Sequence, residues 1–137
     1  MPSILSVGKL QEGIYSALTN NHDLGNLITG IYDYIPDNNP FPYITISQVS
    51  LVKNNTLGLS GKTLNIDVHI FSDYSGNSVV YSILDQLNVT LDHPDTLPSA
   101  EGWDIDYVRF ENSDVIVEKE YRHLIAKYEL GAHETIT

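Results

Sequence analysis

Between residues 64 and 70, Leu64, Ile66, Val68 and Ile70 alternate with Asn65, Asp67 and His69. Successive side chains of a strand point to opposite faces, so the pattern demands a one-sided antiparallel sheet, dry on one face and wet on the other. Two amphipathic segments can cover the dry face. Ile4, Val7, Leu10, Ile14 and Leu18 recur at helical spacing, with Ser3 as cap and Asn20-Asn21 as stop. Gly8 and Gly13 weaken this helix by roughly 1 kcal/mol each relative to Ala, so docking must hold it. Val80, Ile83, Leu84, Leu87 and Leu91 define a second helix that starts near Gly76 to Ser78 and stops before Pro94.

The remaining segments read as strands and turns. Gly30 to Ile35 is strand-like and ends in the turn formers Pro36-Asp37-Asn38-Asn39-Pro40, after which Tyr43 to Ser47 places Ile44 and Ile46 on one face. Trp103 to Phe110 and Val115 to Val117 read as strand, interrupted by a turn at Asn112-Ser113-Asp114. Leu124, Ala126, Tyr128 and Leu130 then face one way and His123, Lys127 and Glu129 the other. The implied fold is α+β, an antiparallel β-sheet with two helices packed on one face. Residues 1–130 form one domain, and residues 131–137 read as a flexible C-terminal tail.

The 137 residues suffice for a hydrophobic core without staples, and the hydrophobic fraction of 42% is ordinary for a globular chain. Seven Lys and Arg against eighteen Asp and Glu leave a formal charge of −11, which argues against specific nucleic-acid binding and against anionic membranes. Cysteine is absent, which removes thiolate zinc sites and thiol nucleophiles. No apolar run approaches membrane-spanning length, and Met1 to Leu10 does not read as a secretory signal, so a cytoplasmic origin is expected. Asn54-Asn55-Thr56 and Asn88-Val89-Thr90 match the glycosylation acceptor pattern by chance on this reading.

Candidate chemistry is sparse. Glu101, Asp104, Asp106, Glu111 and Asp114 could supply oxygen ligands, but no calcium loop is present, and Asp104 with Asp106 reads as a solvated acidic face. His22, His69, His93, His123 and His133 show no ligand spacing; His69 and His123 read as single outward strand residues. His93-Pro94-Asp95 matches the tripeptide of J-domain cochaperones, yet the surrounding strands and the acidic helix reduce it to a Pro-Asp turn. No phosphate loop or nucleophile elbow is found, so neither cofactor nor enzyme activity is expected. Tyr32, Tyr34, Phe41 and Tyr43 form either a recognition surface or packing around Pro36, Pro40 and Pro42.

One segment stands out for assembly. Lys53, Asn54, Asn55, Thr56, Leu57, Gly58, Leu59, Ser60 and Gly61 lie between two strand patterns and read as a long mobile hairpin loop, with Leu57 and Leu59 exposed at its tip. It is the candidate self-association loop.

The run Gly30-Ile31-Tyr32-Asp33-Tyr34-Ile35-Pro36-Asp37-Asn38-Asn39-Pro40-Phe41-Pro42-Tyr43-Ile44-Thr45-Ile46 resembles the signature of tail-completion or tail-terminator proteins of long-tailed bacteriophages and prophages. Asp67-Val68-His69-Ile70-Phe71-Ser72 before the second helix and Tyr121-Arg122-His123-Leu124-Ile125 in the closing strand extend the likeness over nearly the whole chain. The resemblance implies a structural protein of the virion tail neck, assembled in the host cytoplasm. It implies a ring, usually hexameric, that caps the head-proximal end of the tail tube, ends tail growth and forms the head-tail joining interface. Its partners would be itself, the major tail tube protein and a head-completion or neck protein. An acidic lumen would keep passing DNA from sticking. The alternatives are another neck or tail-tube assembly subunit, or a small hydrolase or metal-binding enzyme.

Overall fold

The computed structural model describes residues 7–35, 37–54, 61–93 and 97–135. Helix α1 (Val7–Thr19) and a short helix α2 (His22–Gly25) precede strands β1 (Ile31–Tyr32), β2 (Tyr43–Lys53) and β3 (Lys62–Ser72). Helix α3 (Ser78–Leu91) follows, and β4 (Trp103–Val117) and β5 (Arg122–Glu134) complete the chain. The strands form one sheet in the order β1-β2-β3-β5-β4. The four long strands pair antiparallel, whereas the two-residue β1 runs parallel to β2 through Ile31–Ile44 and Tyr32–Thr45, so the sheet is mixed at that edge.

The period-two reading of β3 holds: Leu64, Ile66, Val68 and Ile70 are buried and meet the buried Leu124, Ala126, Tyr128 and Leu130 of β5 across the ladder. Leu10, Ile14 and Leu18 of α1 and Val80, Ile83, Leu84, Leu87 and Leu91 of α3 close the core on that face. Arg122 fixes the start of α3 by donating from Nε to Asn77 Oδ1 at 3.0 Å and from Nη2 to the Ser75 carbonyl.

Local expectations and structure differ at five places, in most of them because a partner distant in the chain supplies what the local sequence does not signal. The polar connector after α1 holds α2, because Asn21 accepts from the Leu24 N–H at 3.0 Å while its amide donates to Thr90 Oγ1 of α3 at 2.9 Å. Strand-like Gly30 to Ile35 keeps strand pairing at Ile31 and Tyr32 alone. β2 extends past Ser47 to Lys53 through a bulge between Gln48 and Ser50. Asn112-Ser113-Asp114 makes no turn: these residues pair with Lys127, Ala126 and Ile125, and a bulge between Phe110 and Asn112 absorbs the irregularity. Residues 131–134, read as the start of the tail, belong to β5, where Gly131 and Ala132 are buried. A Cβ at Gly131 would overlap the Tyr107 ring, so a small residue is what lets that ring lie across the strand. Ile4 and Ser3 fall outside the described residues.

Candidate functional site

The helices cover one face of the sheet, which leaves three surfaces for recognition: the far face, the sheet edges and the β2–β3 hairpin.

The hairpin is the candidate site read from sequence. Lys53 pairs with Lys62 at its open end, the Asn54 N–H donates to the Gly61 carbonyl at 2.9 Å, and the Asn54 amide donates to Thr63 Oγ1 at 2.9 Å. Lys53 and Asn54 therefore start the loop and a buried Gly61 ends it. Asn55, Thr56, Leu57, Gly58, Leu59 and Ser60 lie outside the described residues. The structure adds what the sequence reading missed: the strand leading into the loop exposes Val49 by 59% and Val52 by 54%, with Leu51 also exposed. Each is a large apolar side chain in water on an edge that β1 leaves uncovered beyond Thr45. The bulge breaks the alternation that Ile44 and Ile46 set: Gln48 pairs with Ile66 and Ser50 with Asn65, so Val49 is the extra residue and the period-two pattern does not carry through to Lys53.

The far face carries an aromatic cluster at the opposite end of the sheet. Tyr43 stacks on Phe71 with centroids 4.9 Å apart, Phe71 stacks on His123 at 4.3 Å, and Phe41 stacks on Tyr121 at 6.0 Å. The Tyr32 O–H donates to Asn39 Oδ1 at 2.9 Å, and the Thr29 N–H donates to the Pro42 carbonyl at 2.7 Å, which ties residues 29–32 to residues 39–42, and the Tyr32 ring meets the Tyr43 ring edge-on at 6.3 Å. Tyr32, Phe41 and Tyr43 are thus packing, whereas Tyr34 at 62% exposure faces solvent.

His69 and His123 are not single outward residues: His69 Nδ1 and His123 Nε2 stand 2.7 Å apart, one ring donating and the other accepting. Burial holds both imidazoles below their ordinary range, and for His123 the neighbouring His69 adds to it. Asp104 and Asp106 share one face as expected, and both reach His133, at 3.3 Å to Nε2 and 2.9 Å to Nδ1. The hydrogen bond from Asp106 raises His133 above the usual range. His22 and His93 lie on exposed loop or helix ends, and Pro94 and Asp95 lie outside the described residues. Among the described residues no three His, Asp or Glu side chains group closely enough to hold a metal. An open groove of about 660 Å³ runs between α1 and β1 and is rimmed by Tyr15, Tyr32 and Tyr34.

An open sheet with apolar side chains exposed along an uncovered edge offers surface on which another protein could pack. Residues 12–129 match the family of tail completion protein gp17, and the chain belongs to that family: it is a phage tail-completion protein with a structural, non-enzymatic role. Among solved structures it resembles a chain from the virion of a native gene transfer agent (GTA) particle, with a TM-score of 0.76 and 20% identity over 96% of this chain and 99% of that one. It also resembles bacteriophage SPP1 gp17 protein, with a TM-score of 0.61 and 16% identity over 96% of this chain and 93% of that one. Likenesses at these identities establish the shared fold. No curated protein sequence matches the chain.

Proposed function

We propose that the protein caps the head-proximal end of the tail tube as a ring, six subunits in the virion, ending tube growth and presenting its other face to the head-completion protein of the neck. The observation that carries this reading is the hairpin: Val49, Leu51 and Val52 stand in water on a strand of a tail-completion fold, and a neighbouring protein would remove them from it. The self-association loop read over residues 53–61 follows that strand in the sequence. A closed ring needs two different patches per subunit, and an open sheet supplies two unlike edges, β2 beyond Thr45 and β4. The charge of −11 suits a lumen that DNA crosses without adhering.

Negative-stain imaging of purified tail tubes with and without the protein tests the reading. Ring density at one tube end, and tubes of uniform length that join heads when it is supplied, is the expected result. Tubes that reach normal length and join heads without it would refute the capping role. The competing assignment as a tube subunit requires the protein to polymerise by itself into tubes.

A further inference from the structure

The hairpin arm differs in charge from the chain as a whole. From Asn38 to Ile66 there is no Asp or Glu, and the two charged residues are Lys53 and Lys62, in a chain with eighteen carboxylic acids. The two lysines face one another across the ladder, and neither meets a carboxylate among the described residues. The arm is therefore cationic as well as apolar.

The opposite edge of the sheet is acidic at the same height. Following the registers across the sheet, Lys53 is level with Lys62, Ala132 and Ile105, and Leu51 is level with Leu64, Leu130 and Val108. The β4 stretch at that height carries Asp104, Asp106 and Glu111, with the half-buried apolar Ile105 and Phe110 between them; Arg109 in the same stretch is held by Glu129, and His133 of β5 shares Asp104 and Asp106, which leaves the carboxylates in excess. Strand direction fits too. β2, β3, β5 and β4 alternate up and down, so β2 and β4 run in opposite directions, and a second copy set beside β4 in the same orientation brings its β2 alongside antiparallel.

We infer that neighbouring subunits join head to tail, the β2 arm of one copy lying antiparallel along residues 104–112 of β4 in the next, with Lys53 and Lys62 against Asp104 and Asp106. This rests on the ring reading and names the contact that builds the ring. The edge of β4 is blunted: Asp92 Oδ1 already accepts the Phe110 N–H at 3.1 Å, and bulges interrupt the strand between Ile105 and Tyr107 and between Phe110 and Asn112. A long continuous ladder is thereby prevented, and the contact depends on charge and on the exposed Val49, Leu51 and Val52.

The native chain has no cysteine, which gives a clean background for disulfide trapping. Val52→Cys with Asp106→Cys, oxidised on assembled tubes, is expected to give a reducible ladder of covalent multimers that neither single variant gives. In parallel, Lys53→Glu with Lys62→Glu, and separately Asp104→Lys with Asp106→Lys, should each lower the tube-bound ring fraction by at least about tenfold, and the quadruple variant should recover it. Thermal unfolding of each variant identifies any that fail to fold, and for those the disulfide ladder decides. Ring density on wild-type tubes without a ladder, or a folded quadruple variant no better than the double variants, overturns this contact and leaves the ring standing. Wild-type protein that forms no ring on tubes overturns the ring itself.

Discussion

Gly13 looked like a weak link in α1 when only helix propensity was considered, yet a Cβ there would collide with the Ser99 backbone carbonyl. The glycine lets the segment before β4 pass against the helix, and Gly131 does the same for the Tyr107 ring. Gly131→Ala should destabilise by about 1–3 kcal/mol in urea denaturation, while Gly25→Ala, with nothing within 4 Å of the new methyl, should be neutral or slightly stabilising. The histidines give a pH signature of mixed sign. His69 and His123 lie below their ordinary value of 6.5, so the unfolded chain takes up protons first, and their contribution is complete above that value and declines as pH falls through the folded-state values. His133 is raised, so its contribution is present below 6.5 and is lost as pH rises through its folded-state value. Urea midpoints measured from about pH 8 to about pH 5 should therefore fall less in His69→Gln or His123→Gln than in the native chain, and fall more in His133→Gln. Equal slopes in all four proteins would count against this assignment. Composition also could not show that Asn88, in a glycosylation-like triplet, accepts the O–H of the buried Tyr128 at 2.6 Å.

At the scale of elements, the helices are the most legible parts. The stripe of Val80, Ile83, Leu84, Leu87 and Leu91 fixed both the extent and the buried face of α3, since 3.6-residue periodicity is local information. Leu87 is fully buried, so Leu87→Ala should cost about 2–5 kcal/mol by denaturant titration, whereas Val89→Ala on the exposed face should stay within about 0.5 kcal/mol. The strands were legible where they follow strict alternation, as in β3 and the first part of β5, and illegible where bulges shift the phase. Asn112-Ser113-Asp114 has turn composition, but its backbone groups are paired by β5, and that pairing outweighs local preference. The hairpin was located from its polar, glycine-containing loop; its exposed valines and leucine were missed because a bulge hid the continuation of β2.

For the whole molecule, helices and sheet share one core cluster that reaches from Leu10 to Ala132, which argues for a single cooperative unit. Trp103, the sole tryptophan, is 6% exposed at the start of β4 and belongs to that cluster. Its fluorescence and the far-UV circular dichroism should report the same urea midpoint; two separated transitions would divide the chain into independent parts. Sequence by itself determined the one-sided sheet, the two amphipathic helices that cover it and the place of the hairpin, because hydrophobic period and turn chemistry act over a few residues. Tertiary structure alone decided how far β2, β4 and β5 run, that β1 joins in parallel, that His69 meets His123, and that the cationic arm and the acidic edge stand level at opposite sides of the sheet. Those features depend on strand register, which is set by hydrogen bonds between residues far apart in the chain and leaves no mark on any single segment.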